Sequence, residues 1–210
     1  VYRSALDHPD VCGISIATRP DCLGIEVLDL LAKLRDEYPD KFLWIELGLQ
    51  TIHEDTDRYI RRGYPLSCFE QACADLKALQ IPFIVHTILG LPGETNIQLL
   101  QTMDYLNRIQ PFGIKLQLLH VLKDTDLADD YLAGKFEVLT FDAYIDLVIS
   151  CLAHLSPDIV IHRVTGDGPK NLLIAPTWSM NKRGVLNELH HRMKKQGIRQ
   201  GDLFPKDNYS

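Results

Sequence analysis

An α/β fold with a mainly parallel sheet is what this sequence predicts, on three observations. Short apolar, β-branched runs alternate with longer stretches of helical periodicity, the pattern of successive strand–helix units. Several strands carry polar side chains on one face only, with the other face apolar throughout. Apolar residues make up 46% and charged residues 24% of 210 residues, enough for a sizeable core and outside the disordered, collagenous and disulfide-scaffold classes.

Taken in order, strands are expected near 13–18, 42–49, 82–89, 113–121 and 158–164. Helices are expected near 24–37, 54–62, 67–79, 95–109, 125–133 and 140–155, with a last one near 182–196. Ser67 followed by Glu70, and Thr95 followed by Gln98, read as capping boxes that each satisfy two orphan backbone donors. Gly166-Asp-Gly-Pro169 is the one loop cluster dense enough to suggest a change of unit, giving a body over 1–168 and a tail over 169–210. The chain opens Val1-Tyr2-Arg3 without methionine, which reads as part of a longer protein.

The totals restrict function less than the patterning does. No apolar run approaches the ~18 residues of a membrane span. Cysteines at 12, 22, 68, 73 and 151 form no C-x-x-C pair and read as reduced thiols of a cytoplasmic protein; Cys68 and Cys73 point different ways on one helix and read as small hydrophobes. The net charge of −6 is uneven: residues 181–201 carry Lys182, Arg183, Arg192, Lys194, Lys195 and Arg199 against Glu188. That is a local +5 against −11 for the rest, suited either to phosphate contact or to a solvated helix face.

Strand ends supply the candidate site. Over 42–50, alternation puts Trp44, Glu46, Gly48 and Gln50 on one face and Leu43, Ile45, Leu47 and Leu49 on the other. His86 interrupts an almost wholly apolar strand and precedes the turn Gly90-Leu-Pro-Gly93; it reads as a satisfied core histidine or as a site group near the carboxyl end. Lys115 and Gln117 share a strand face, with His120, Lys123 and Thr125 beyond it, either on a wetted edge strand or facing substrate. Arg163, Thr165 and Asp167 close the last strand, as a salt bridge or as ligand contacts, and Trp178 reads as an anchor for the tail.

Four motifs in order, Ile14-Ser-Ile-Ala-Thr-Arg-Pro-Asp-Cys22, Glu46-Leu-Gly-Leu-Gln-Thr51, Arg61-Arg-Gly-Tyr64 and Leu89-Gly-Leu-Pro-Gly-Glu-Thr95, resemble the later barrel motifs of radical S-adenosylmethionine (SAM) proteins. The resemblance is closest to the branch of the elongator catalytic subunit and the oxygen-independent coproporphyrinogen oxidase. His162-Arg-Val-Thr-Gly-Asp-Gly-Pro169 and Ile174-Ala-Pro-Thr-Trp-Ser-Met-Asn-Lys182 bring it nearer to the bacterial YhcC/YtqA-type subfamily.

This resemblance implies the C-terminal portion of a partial (β/α)6 barrel, from its third strand onward, with a helical C-terminal extension. It also implies a [4Fe–4S] cluster on upstream cysteines absent from this chain, and SAM as cofactor. Gln50 and Arg62 match SAM-contacting positions, Arg62 suiting the methionyl carboxylate. His86 and Ile88 match positions beside the ribose and adenine. Thr18 and Arg19 lie near a place where family members often carry glutamate, but Ala17 stands at the aligned position here.

The implied reaction is reductive cleavage of SAM to methionine and a 5′-deoxyadenosyl radical that abstracts a substrate hydrogen, with electrons from a donor such as flavodoxin or ferredoxin. Transfer RNA is the substrate suggested by the elongator-like branch. A small-molecule substrate and a non-catalytic α/β binding module are the alternatives. Without the cluster motif the chain alone is expected to be inactive, and to dimerise or aggregate through the strand edge near 13–18.

Overall fold

In the computed structural model, residues 1–166 and 168–205 are described. A short helix α1 (Tyr2–Leu6) leads into β1 (Gly13–Thr18), a 3-10 turn (Pro20–Cys22), α2 (Ile25–Glu37), β2 (Phe42–Gln50), α3 (Glu54–Ile60) and α4 (Leu66–Ala78). Then come β3 (Phe83–Leu89), α5 (Asn96–Ile109), β4 (Gly113–Leu118), β5 (Val121–Leu122), α6 (Asp126–Leu132) and α7 (Phe141–His154). The chain closes with β6 (Val160–Arg163), β7 (Leu173–Ala175), a second 3-10 turn (Thr177–Met180) and α8 (Lys182–Gln196).

Five strands form one sheet in the order β1-β2-β3-β4-β6, every neighbouring pair parallel. Sequential strands lying side by side, with helices between them, give the curved-sheet architecture of a barrel portion. The two-residue period is carried through directly: Leu43, Ile45, Leu47 and Leu49 are buried against the helices, while Trp44, Glu46, Gly48 and Gln50 are half-buried on the other face. The outer core runs from Leu6 through Phe69, Met103 and Tyr144 to Val185 and Leu189 of α8, so the last helix belongs to the main core.

Two expectations are corrected. The strand expected over 113–121 stops at Leu118, and Val121–Leu122 pairs instead, antiparallel, with Leu173–Ala175 of the tail. A second small cluster, Val121, Ala128 and Ala175, packs there. Nor does Ser67 cap α4: the helix begins at Leu66 with Pro65 in the N-cap position, and no side chain caps it. Proline fixes φ near the value a helix entry needs, so the turn starts before Ser67 can act.

Thr95 does form a full capping box with Gln98, its hydroxyl accepting from the Gln98 amide at 3.2 Å while the Gln98 carboxamide oxygen accepts from the Thr95 amide at 2.9 Å. Trp178 anchors the tail, its indole N–H donating to Leu139 O at 3.0 Å and its ring packing on Phe141 and Tyr144. Asp167 of the expected strand-end group lies outside the described residues.

The two apparent boxes separate experimentally. Thr95→Ala is expected to cost about 1 kcal/mol in urea denaturation, whereas Ser67→Ala is expected to stay within about 0.5 kcal/mol of the parent.

Candidate functional site

Glu46 is the centre of the inner face. Its Oε1 accepts from Ser15 Oγ on β1 at 2.7 Å, and its Oε2 accepts from His86 Nε2 on β3 at 2.7 Å and from the Lys115 ammonium on β4. Gln117 donates its amide to His86 Nδ1 at 2.8 Å. Only the Nε2–H tautomer of a neutral imidazole satisfies both neighbours. Arg163 continues the row, lying opposite Lys115 where β6 joins β4.

The electrostatics follow from burial and partners. Burial by itself would raise the Glu46 carboxyl; hydrogen bonds from Lys115, Ser15 and His86, with the Lys115 charge, outweigh it and bring the pKa down to about 2. His86 is lowered, first by burial and then by the Lys115 and Arg163 charges, against the opposing hydrogen bond to Glu46. Its contact with Glu46 at neutral pH is therefore a hydrogen bond from a neutral ring.

β4 lies between β3 and β6. The wetted-edge explanation of Lys115 and Gln117 is thus replaced by an interior polar network. Towards the amino ends of the strands the same side of the sheet carries an aromatic group, with Trp44 stacked on Phe42 at 4.2 Å and edge-on to His162 at 5.4 Å between centroids.

At the carboxyl ends lies a cavity of about 510 Å³, within the usual range of small-molecule sites. Arg19, Gln50, Arg62 and Ile88 all line it, together with Tyr64 and Leu91. Arg19 follows β1, Gln50 ends β2, Arg62 follows α3 and Ile88 lies within β3, so the fold brings together what the sequence scatters. Arg19 is half-exposed, bonded to Asp21 at 2.7 and 2.9 Å, and lies 5.1 Å above the Tyr64 ring.

Arg62 reaches the cavity wall with a side chain only 3% exposed. Its guanidinium donates to Leu49 O and Thr51 O at 2.8 Å each, to Tyr64 O at 3.2 Å and to Asp57 Oδ2 at 2.8 Å. Most of its hydrogen-bonding capacity is spent inside the protein. Thr18 falls on the face shared with Ile14 and Ile16, away from the polar row, and among the described residues its hydroxyl bonds Arg19 O at 3.4 Å.

His120 also stands apart. It contacts Ser179 Oγ at 3.1 Å, and Gly166 and Gly168 pack on its ring closely enough that a Cβ would lie 2.6 and 3.3 Å from it. That arrangement docks the tail. Ser15, Asp57 and Tyr64 were not among the expected site residues; Ser15 and Tyr64 stood within quoted motifs, while Asp57 carried no signal.

Five parallel strands with helices on one side, an inner polar row and a cavity at the carboxyl ends define the site-bearing part of a (β/α) barrel. The chain belongs to the radical SAM superfamily, whose domain matches residues 3–106, and residues 111–195 match the radical SAM C-terminal domain.

YtqA of Bacillus subtilis (strain 168) is 41% identical over 97% of this chain and 62% of its own length. YhcC of Escherichia coli (strain K12) is 30% identical over 97% of this chain and 65% of its own. The solved structure of the archaeal Methanocaldococcus infernus Elp3 with an N-terminal deletion (1–46) shares the fold, with a TM-score of 0.76 and 19% identity over 90% of this chain and 43% of that one. The chain thus spans just under two thirds of the curated relatives' length.

Among the described residues no group of three or more His, Cys, Asp or Glu could hold a metal ion. Cys73 and Cys151 are buried in the core, which pushes both thiols up to about 12. No described helix is long and apolar enough to cross a membrane.

The Glu46 network predicts a pH signature. A carboxyl lowered from 4.5 to about 2 contributes stability that is complete above the unfolded pKa and lost as pH falls through the folded one, an effect of about 3 kcal/mol. Glu46→Gln is expected to lose that amount in denaturant titrations at pH 7, with the gap to the parent closing between pH 4.5 and 2.

Proposed function

We propose that this chain is the SAM-binding portion of a radical SAM enzyme, and that its cavity at the strand carboxyl ends receives SAM. The observation that carries the reading is the convergence of Gln50, Ile88 and Arg19 on one cavity of suitable size in a member of this superfamily. Ile88 and Leu91 offer an apolar wall suited to adenine, and Gln50 and Arg19 offer polar groups for the rest of the molecule. Arg62, by contrast, supports the site from beneath.

When bound, SAM and a reduced [4Fe–4S] cluster supply a 5′-deoxyadenosyl radical for hydrogen abstraction. This chain's residues bind, orient and exclude water. Neutral His86 and the Glu46–Lys115 pair hold fixed hydrogen bonds on the inner face, suited to orienting a substrate rather than to exchanging protons with it. The cluster would be held by a part of the whole protein outside these residues, and the isolated chain would be inactive. Residues 1–168 would form the barrel portion and 169–210 the extension, in a cytoplasmic protein reduced by a flavodoxin- or ferredoxin-like donor.

Transfer RNA is the proposed substrate class, on the resemblance to the elongator-like branch and on the exposed cations Arg183, Lys194, Lys195 and Arg199 of the last segment. Anaerobic cluster reconstitution of the complete protein, then a SAM-cleavage assay under dithionite, is the test. Deoxyadenosine formation stimulated by bulk transfer RNA is the expected result. Cleavage indifferent to RNA would turn the reading to a small molecule, and absence of both cluster and cleavage would favour a binding module.

β1 pairs only with β2 among the described strands, which leaves its other edge open. Light scattering of the 210-residue chain alone is expected to show dimers or larger species through that edge; a monodisperse monomer would refute edge pairing.

A further inference from the structure

We infer that Arg62 is a positioning residue that fixes Gln50 in its cavity-facing conformation by clamping the carbonyl on either side of it; the inference rests on the cavity being the SAM site.

Gln50 ends β2 with φ of +63°, in the left-handed region that non-glycine residues adopt at a cost of about 1 kcal/mol or more. The pairing of β2 with β3 also slips between Gly48 and Gln50. The chain therefore leaves the strand abruptly at the residue that lines the cavity. Some interaction must offset the cost.

The Thr51 amide donates to Leu49 O at 2.8 Å, closing a tight turn across Gln50, and one arginine nitrogen reinforces that turn from outside. Arg62 Nη1 donates to both Leu49 O and Thr51 O at 2.8 Å, so the two oxygens stand no more than twice that, about 5.6 Å, apart. In an extended strand, carbonyls two residues apart point the same way and are separated by about 6.7 Å. A single nitrogen placed midway would lie about 3.4 Å from each, well beyond the 2.8 Å of both bonds here. Bridging them requires the chain to curl at the residue between, which is Gln50.

The clamp is itself held. Asp57 Oδ2 accepts from Nη2 at 2.8 Å, Tyr64 O accepts from Nε at 3.2 Å, and the Tyr64 ring lies 5.0 Å from the guanidinium carbon. Tyr64 returns its hydroxyl to Gly48 O at 2.7 Å. A Cβ at Gly48 would lie 2.7 Å from the Gln50 side-chain nitrogen Nε2 and 3.0 Å from that hydroxyl, so glycine here lets both side chains settle over the strand. Downstream, Thr51 donates its hydroxyl to Glu94 at 2.5 Å and accepts from the His53 amide at 3.1 Å. Gln50 is thus fixed from before, behind and beneath.

A direct contact between Arg62 and SAM makes a different demand. It needs a free fork of N–H groups, whereas four of the five here already donate to Leu49, Thr51, Tyr64 and Asp57.

The test is a double-mutant cycle in the complete, cluster-reconstituted protein, reading the dissociation constant of SAM by calorimetry and the melting temperature in parallel. Lysine cannot reproduce the fork, so Arg62→Lys is expected to weaken SAM binding about tenfold. In a Gln50→Ala background the same change is expected to weaken it less than about twofold, while lowering the melting temperature equally in both. An undiminished loss in the Gln50→Ala background would overturn the inference and restore a direct contact.

Should Arg62→Lys fail to fold, Asp57→Asn loosens the clamp and is expected to show the same dependence on Gln50, with an undiminished loss again overturning it. Absence of SAM binding by the parent protein would remove the cavity reading and this inference together, an outcome distinct from binding that persists without coupling.

Discussion

A carboxylate on the inner face of a sheet is the constraint around which the rest of this structure is arranged. Glu46 has a side chain only 13% exposed, and an ion so placed is tolerated only if hydrogen bonds and an opposite charge replace the water it loses. Its partners come from three other strands, directly from Ser15, His86 and Lys115. A one-residue slip of β1, β3 or β4 would send that partner to the helix face and strand the charge. The apolar outer face supplies the main driving force for folding, and the polar inner face makes one register the cheapest.

The same arrangement grades the inner surface along the strands. Aromatic rings occupy the amino ends, where Trp44, Phe42, Phe112 and His162 pack together. The charged network follows, and beyond it comes the cavity with Gln50 and Ile88. Rigidity therefore increases the value of the carboxyl ends as a binding site, because the groups presented there stand on strands whose spacing and register are already determined below them.

Most of the fold was legible because periodicity is a strong signal in strands with one greasy face. β2 is the clearest case: alternate burial in the structure repeats the alternate hydrophobicity of residues 42–50. Thr95 was legible as a cap because both halves of its box are local; Ser67 was misread because Pro65 starts the helix first, a competition between neighbours that a four-residue pattern ignores. The break of β4 at Leu118 was hidden because its continuation pairs with residues some fifty positions away. In the site, residue types on strand faces were readable, but the role of Ser15 was not, even within a quoted motif, because a lone serine on a strand is unremarkable until a carboxylate is placed beside it. Arg62 was legible as a residue of the cavity, but its burial and internal hydrogen bonds were not, since a motif records identity while the fold decides what a guanidinium reaches.

The last helix shows the same difference between charge counted and charge available. Six cations in residues 181–201 suggest a basic surface, yet Arg192 binds Glu188 on its own helix and Asp142 and Asp146 on α7. That three-carboxylate contact, with Val185 and Leu189 in the main core, uses charge to seat α8 on the body. Exposed Arg183 and Lys194, Lys195 and Arg199 stand at opposite ends of a helix whose middle serves packing. A phosphate backbone meeting this segment would encounter two separated basic points rather than a continuous stripe, so charge alone would favour contact spaced along a strand over a single phosphate pocket.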